Sequence, residues 1–167
     1  MVKTFKIYHL AIFLFLYMSC SSQLSVEKKM ESKLKMFNRN DFKQVHFNNI
    51  YQLEGLYETK RDFELIYPKL EEHRDSNYID YMYIQNNGKI NFGTGSMVPD
   101  ITKHKEIQTF NGVLVKEGDK YVIFRKVVLH PVLGVGGYEI KKQKILIENR
   151  RLYIQDGNNC LVYKLVD

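Results

Sequence analysis

The sequence predicts a mainly β protein: an antiparallel meander of about eight strands, closed into a barrel or folded as a sandwich, behind an export leader and a short N-terminal helix. Three observations carry that reading. The chain of 167 residues has a single alanine, Ala11, against twelve Tyr and ten Phe. Alanine is the strongest helix former, whereas aromatic and β-branched side chains fit the pleated surface of a strand. An AT-rich coding sequence would also enrich Lys, Asn, Ile and Tyr, so periodicity has to decide. It does: short apolar runs, several with clear alternation, recur from Ile50 to the C-terminus, and tight-turn residues such as Asn87-Gly88, Glu117-Gly118-Asp119 and Asp156-Gly157 separate them. The length suits one core, and 44% apolar with 26% charged residues is the balance of a folded domain. The organisation reads as a signal over residues 1–19, a tether with an amphipathic helix over 20–48, and a single β domain over 49–167.

Met1 to Lys6 carries two lysines and no acid, and Ile7 to Met18 is a run of twelve residues without a formal charge. That length fits the apolar part of a secretory signal and falls short of the roughly 20 residues a membrane-spanning helix needs. At Leu16-Tyr17-Met18-Ser19-Cys20 the segment resembles a bacterial lipoprotein signal, in which a four-residue lipobox ends in Cys with a small residue before it. The resemblance implies cleavage between Ser19 and Cys20 and a diacylglyceryl group on the Cys20 thiol. The family prefers Leu three residues before the Cys, where this chain has Tyr17, and Leu16 stands one place earlier. The rival reading is a conventional cleaved signal, with Cys20 free to pair with Cys160 in the oxidising environment that export implies. Lipidation and a disulfide exclude each other. Two or three acyl chains would hold the domain on a membrane surface without spanning it. Ser21 to Ser25 contains no acid, and acid-rich segments there accompany surface display in some bacterial lipoproteins, so the expected location is the envelope, at the outer membrane facing the periplasm.

In the tether, Val26, Met30, Leu34 and Phe37 recur at helical spacing, with Lys28, Lys29, Lys33 and Lys35 elsewhere on the surface. This predicts a helix packed across one end of the domain, or a basic amphipathic helix lying on anionic lipid.

The strands then follow in order. Tyr51–Lys60 is the first. Tyr78–Gln85 and Lys89–Gly93 form a hairpin about Asn86-Asn87-Gly88, and Phe110–Lys116 and Lys120–Leu129 form another about Gly118. Tyr138–Glu148, Arg151–Gln155 and Asn159–Val166 complete the eight; in the last, Leu161, Tyr163 and Leu165 share one face. Asp62–Asn77 and Val98–Gln108 read as long charged connections.

On the first strand, Gln52-Leu53-Glu54-Gly55-Leu56-Tyr57 resembles the Gly-x-Trp of lipocalin-like barrels, with Tyr57 in the Trp position. In that family the aromatic plugs the closed end, often under an arginine from the last strand; Arg150 and Arg151 lie before the next-to-last strand instead. The resemblance implies a cup for an apolar or amphipathic ligand. The competing reading takes Gly55 as a bulge and Tyr57 as one more core aromatic.

Catalytic patterns are absent. Gly93-Thr94-Gly95-Ser96 lacks the flank of a nucleophile elbow, and Gly134-Val135-Gly136-Gly137 lacks the third glycine and the helix that phosphate cradling needs. The clusters Asp100, His104, Glu106 and Glu71, Glu72, His73 have no metal-ligand spacing and read as solvated loops, so no cofactor and no metal is expected. Without the leader's lysines, 23 basic residues stand against 19 acidic ones with no basic block after Arg39, which argues against nucleic acid as a partner; the excess also argues against an inhibitor that grips a basic enzyme. The expectation is therefore a lipid-anchored, non-enzymatic envelope domain whose partners are the membrane and either a small apolar ligand or another envelope protein. The alternatives are an unanchored periplasmic or secreted carrier and an enzyme whose residues, such as His46, His104 and His130, meet only in three dimensions.

Overall fold

A computed structural model describes residues 24–66, 78–96, 110–129 and 137–166. Nine strands form one antiparallel sheet: β1 (Asn49–Arg61), β2 (Glu64–Ile66), β3 (Ile79–Ile84), β4 (Lys89–Gly95), β5 (Gly112–Glu117), β6 (Lys120–Leu129), β7 (Gly137–Glu148), β8 (Arg151–Asp156) and β9 (Asn159–Leu165). From β3 onward each strand pairs with the next, and β1 pairs with both β3 and β9, so eight strands close into a barrel. The expected meander is present, and it is a barrel, not a sandwich. The ninth strand, β2, was not foreseen: three residues fold back on the end of β1, with Glu58 opposite Ile66, through a turn in which Phe63 takes φ 61.

The barrel has two unlike ends. The turns β3–β4, β5–β6 and β7–β8 lie at the closed end with the start of β1 and the finish of β9. This end is plugged from inside by the segment that precedes β1. Phe42 and Val45 are buried in the core cluster with Tyr51, Ile84, Ile90, Ile147 and Leu152, and Phe37 and Phe47 pack against it. Phe37 stacks on Phe42 with ring centres 5.6 Å apart, and Phe42 lies 5.2 Å from the Tyr121 ring. The Asn-Gly turn is shaped to this plug. Gly88 takes φ +80, and a Cβ there would stand 2.4 Å from the Phe37 ring. Only glycine meets both demands without strain.

The helix α1 (residues 24–34) lies on the outer wall. Val26 and Met30 are buried against Val113, Val115, Val122 and Phe124, with Leu34 beside them. The apolar stripe thus faces the barrel, as the packed-helix reading expects, along its side instead of across its end. Phe37, expected as the fourth member of the stripe, turns away to the plug. Lys33 sits 4.3 Å above the Phe124 ring and 3.7 Å from Glu117, while Lys126 reaches Glu27 at 3.6 Å.

Gly55 sits at a bulge: the register of β1 on β9 shifts between Leu53 and Gly55. A bulge changes the parity of a strand. It lets Leu53 and Leu56, three residues apart, both contact the barrel interior. The seam between β4 and β5 is the shortest, with two paired positions. There the Asn111 side chain stands in for a missing strand, accepting from the Phe92 N–H at 2.8 Å and donating to the Phe92 carbonyl at 3.0 Å.

Candidate functional site

Side chains alternate between the two faces of a strand, and residues opposite each other in an antiparallel pair share a face. Following the inward columns away from the plug shows how the interior changes. On β3 the column runs Ile84, Met82, then Asp80; on β4, Ile90, Phe92, then Thr94. On β6, Ile123 gives way to Arg125, and on β7, opposite them, Gln143 to Lys141. On β8, Ile154 is followed by Asp156, and on β9, Tyr163 and Leu161 by Asn159. The columns start apolar and turn polar towards the other end, except that β6 resumes with Val127 and Leu129 beyond Arg125. The inside is therefore largely polar around a mouth.

That mouth holds a cavity of about 640 Å³. Leu56, Phe92, Leu161 and Tyr163 form its apolar floor; Asp80, Thr94, Arg125, Asp156 and Asn159 supply polar groups. Below the floor the barrel is filled, with Met82, Ile84, Ile90, Leu114, Ile123 and Ile154 wholly buried. The cavity is an amphipathic cup above a filled core.

The charged groups of the cup are largely held by one another. Thr94 donates to Asp80 at 2.5 Å, and Lys141 pairs with Asp156. Arg125 differs: it lies over the Phe92 ring, 4.1 Å from centroid to guanidinium carbon, and no carboxylate among the described residues is bonded to it. Such a ring contact orients the cation while leaving its in-plane N–H donors available. Gln143, opposite Ile123 and 2% exposed, has an Oε1 with no hydrogen-bond donor among the described residues. A buried acceptor left unpaired costs about 1–3 kcal/mol. At the lip, Gln155 ties three chain segments together by donating to Thr59 at 2.8 Å and to the Gly157 carbonyl at 2.6 Å and accepting from the Phe63 N–H at 3.3 Å.

The residues singled out from sequence fall elsewhere. Ser19 and Cys20 lie outside the described residues, as do Glu71, Glu72, His73, Asp100, His104, Glu106, His130 and Gly134–136. Cys160 is a buried free thiol on β9, and burial pushes its pKa up to about 11, which makes it a poor nucleophile at neutral pH. His46 lies at the closed end, where its backbone N–H donates to the Tyr51 hydroxyl at 2.9 Å; burial is also the main cause that raises the Tyr51 phenol. Tyr57 sits opposite Cys160 in the mouth half of β1, so the aromatic plug comes from Phe37 and Phe42. Arg151 makes a two-pronged ion pair with Glu54, at 2.6 and 2.9 Å, and covers no plug. Among the described residues no three His, Cys, Asp or Glu side chains gather as a metal site, and no helix is long and apolar enough to cross a membrane. Sequence reasoning missed Asp80, Arg125, Lys141, Gln143 and Asp156. The signal that could have found them is the change from apolar to polar residues along one alternating column.

In comparison with known proteins, the chain matches no family model, no curated protein and no solved structure.

Proposed function

We propose that this chain is an envelope lipoprotein, tethered through an acylated Cys20, whose barrel is a non-catalytic module that binds a small amphipathic ligand at its mouth. The ligand lays an apolar body on Leu56, Phe92, Leu161 and Tyr163 and turns an anionic head to Arg125. The observation that carries this reading is the Arg125 guanidinium, seated on the cup wall over Phe92 without a bonded carboxylate among the described residues, while Asp156 is held by Lys141. A charge-assisted hydrogen bond in a partly desolvated cup is worth about 1.5–3 kcal/mol, enough to select an anion over a neutral analogue. The tether reading rests on Leu16–Cys20 and places the module on a membrane surface, where amphiphiles are concentrated.

Titrating the purified full chain with a fluorescent medium-chain carboxylic acid tests the ligand, with the matching alcohol as the neutral control. The acid should bind at least several-fold more tightly than the alcohol, and Arg125→Ala should erase the difference. Equal affinity for both probes in the wild-type chain would remove the reading. The tether is tested separately, by radiolabelled palmitate in a bacterial host: label should enter the wild-type chain and not Cys20→Ala.

A further inference from the structure

The exposed apolar side chains are distributed unevenly. Six large hydrophobic residues among the described ones are exposed: Leu24, Met36, Ile66, Tyr78, Val128 and Leu129. Five of them stand at the mouth end. Val128 and Leu129 finish β6, Tyr78 precedes β3, and Ile66, at the level of Glu58 on β1, finishes β2. Leu24 begins α1, whose direction is fixed by its ion pairs: Glu27 meets Lys126, towards the mouth, and Lys33 meets Glu117 at the closed-end turn. Met36, past the far end of the helix, is the exception.

We infer that the mouth end of the barrel docks on a lipid bilayer, with Leu24, Ile66, Tyr78, Val128 and Leu129 entering the interface and the cup opening onto the membrane. The choice of a bilayer as occupant follows from the chain outside the described part. Under the tether reading the chain starts at an acylated Cys20, and residues 20–23 join the barrel at Leu24, on this same end. The apolar residues come from four separate elements around a rim, an arrangement suited to a plane more than to a single groove. Tyrosine favours the headgroup level, apolar body inward and hydroxyl in water. Exposed Lys28 and Lys29 flank Leu24 on the first turns of α1 and complement an anionic surface. The opposite end presents Asn86, Asn87, Asn149 and Arg150, which suit water. The inference takes only the nearness of a membrane from the tether reading and does not depend on what the cup holds.

The absence of tryptophan makes single reporters clean. Val128→Trp and Met36→Trp, each in the full chain reconstituted on vesicles of brominated phosphatidylcholine and phosphatidylglycerol, report which end meets the lipid. Quenching at position 128 should exceed that at position 36 by several-fold, and adding Leu129→Asp to the Val128→Trp chain should reduce it, with circular dichroism confirming the fold. Equal quenching at both positions, stronger quenching at 36, or no response to Leu129→Asp would overturn the inference. Because no cup ligand takes part in this readout, its failure leaves the carboxylic-acid titration intact, and failure of that titration leaves the docking result intact.

Discussion

At the closed end the inward columns finish in Tyr51, Ile84, Ile90, Ile147 and Leu152 beneath Phe42 and Val45; nearer the mouth the same strands turn Asp80, Thr94, Arg125, Lys141 and Asp156 to the inside. One half is a solid core with its own plug, the other an open cup. The difference shows how a small barrel separates stability from binding. Charges inside a closed core would carry a desolvation penalty of several kcal/mol each, whereas at an open rim water and neighbouring partners offset most of it. The filled half lets the strand ends carry groups that contribute little to folding. Partitions of this kind are common where a rigid scaffold presents a site.

The contrast is broken most directly at the plug. Phe42→Ala leaves a hole under the closed end and should lower stability by about 3–5 kcal/mol, read as a fall in the urea midpoint. A loss below 1 kcal/mol would mean that the plug is an accessory and the strands alone make the core. At the mouth the opposite pattern is expected. Arg125→Ala should weaken binding of an anionic amphiphile by about 10–100-fold, the equivalent of one charge-assisted hydrogen bond, while shifting the unfolding midpoint little.

Cys160 sharpens the comparison through pH. Burial favours the neutral thiol in the folded chain and raises its pKa from 9.0 to about 11. The folded state therefore binds the proton more tightly, so this contribution is complete below pH 9 and is lost as pH rises towards 11. The stability difference between the wild-type chain and Cys160→Val should be flat at neutral pH and change by about 1–3 kcal/mol between pH 8 and 11. A flat difference throughout would show that water reaches the thiol. The smallest effect is on the surface. Lys142, with Lys33 nearby, holds the Glu117 carboxyl below its ordinary range, so its contribution is present at neutral pH and lost as pH falls through that lowered pKa. Glu117→Gln should cost at most about 0.5 kcal/mol at pH 7 and nothing at pH 2, because exposed pairs are screened.

Much of the wall was legible in the sequence. Six of the eight barrel strands announce themselves by alternation beside Gly-containing turns, and their ends agree within a few residues, as Lys120–Leu129 does for β6. The plug was not legible. Phe42, Val45 and Phe47 have neither a period of two nor of 3.6, and what buries them is a barrel end built from residues far along the chain. β2 was hidden because Phe63 takes its positive φ without a glycine to mark the turn. The cup was hidden for a different reason: barrel closure decides which of a strand's two faces points inward, so its polar residues could not be told from those of the outer face by alternation alone. Gly55 was readable as a bulge, and β1 shifts register there; what the sequence left hidden is that the shift aligns Leu56 with the cup.

The pairing of β1 with β9 sets Tyr51 opposite Leu165, so β9 completes a wall that the first strand began. From β3 to β9 each strand pairs with the one before it and can do so as soon as it emerges, and β3 reaches back past β2 to β1. A chain made or threaded from its N-terminus therefore carries two unsatisfied strand edges, on β1 and β8, until β9 arrives, and exposed edges of this kind template aggregation. Loss of β9 alone would leave those edges open permanently, with consequences for solubility out of proportion to the few side chains removed.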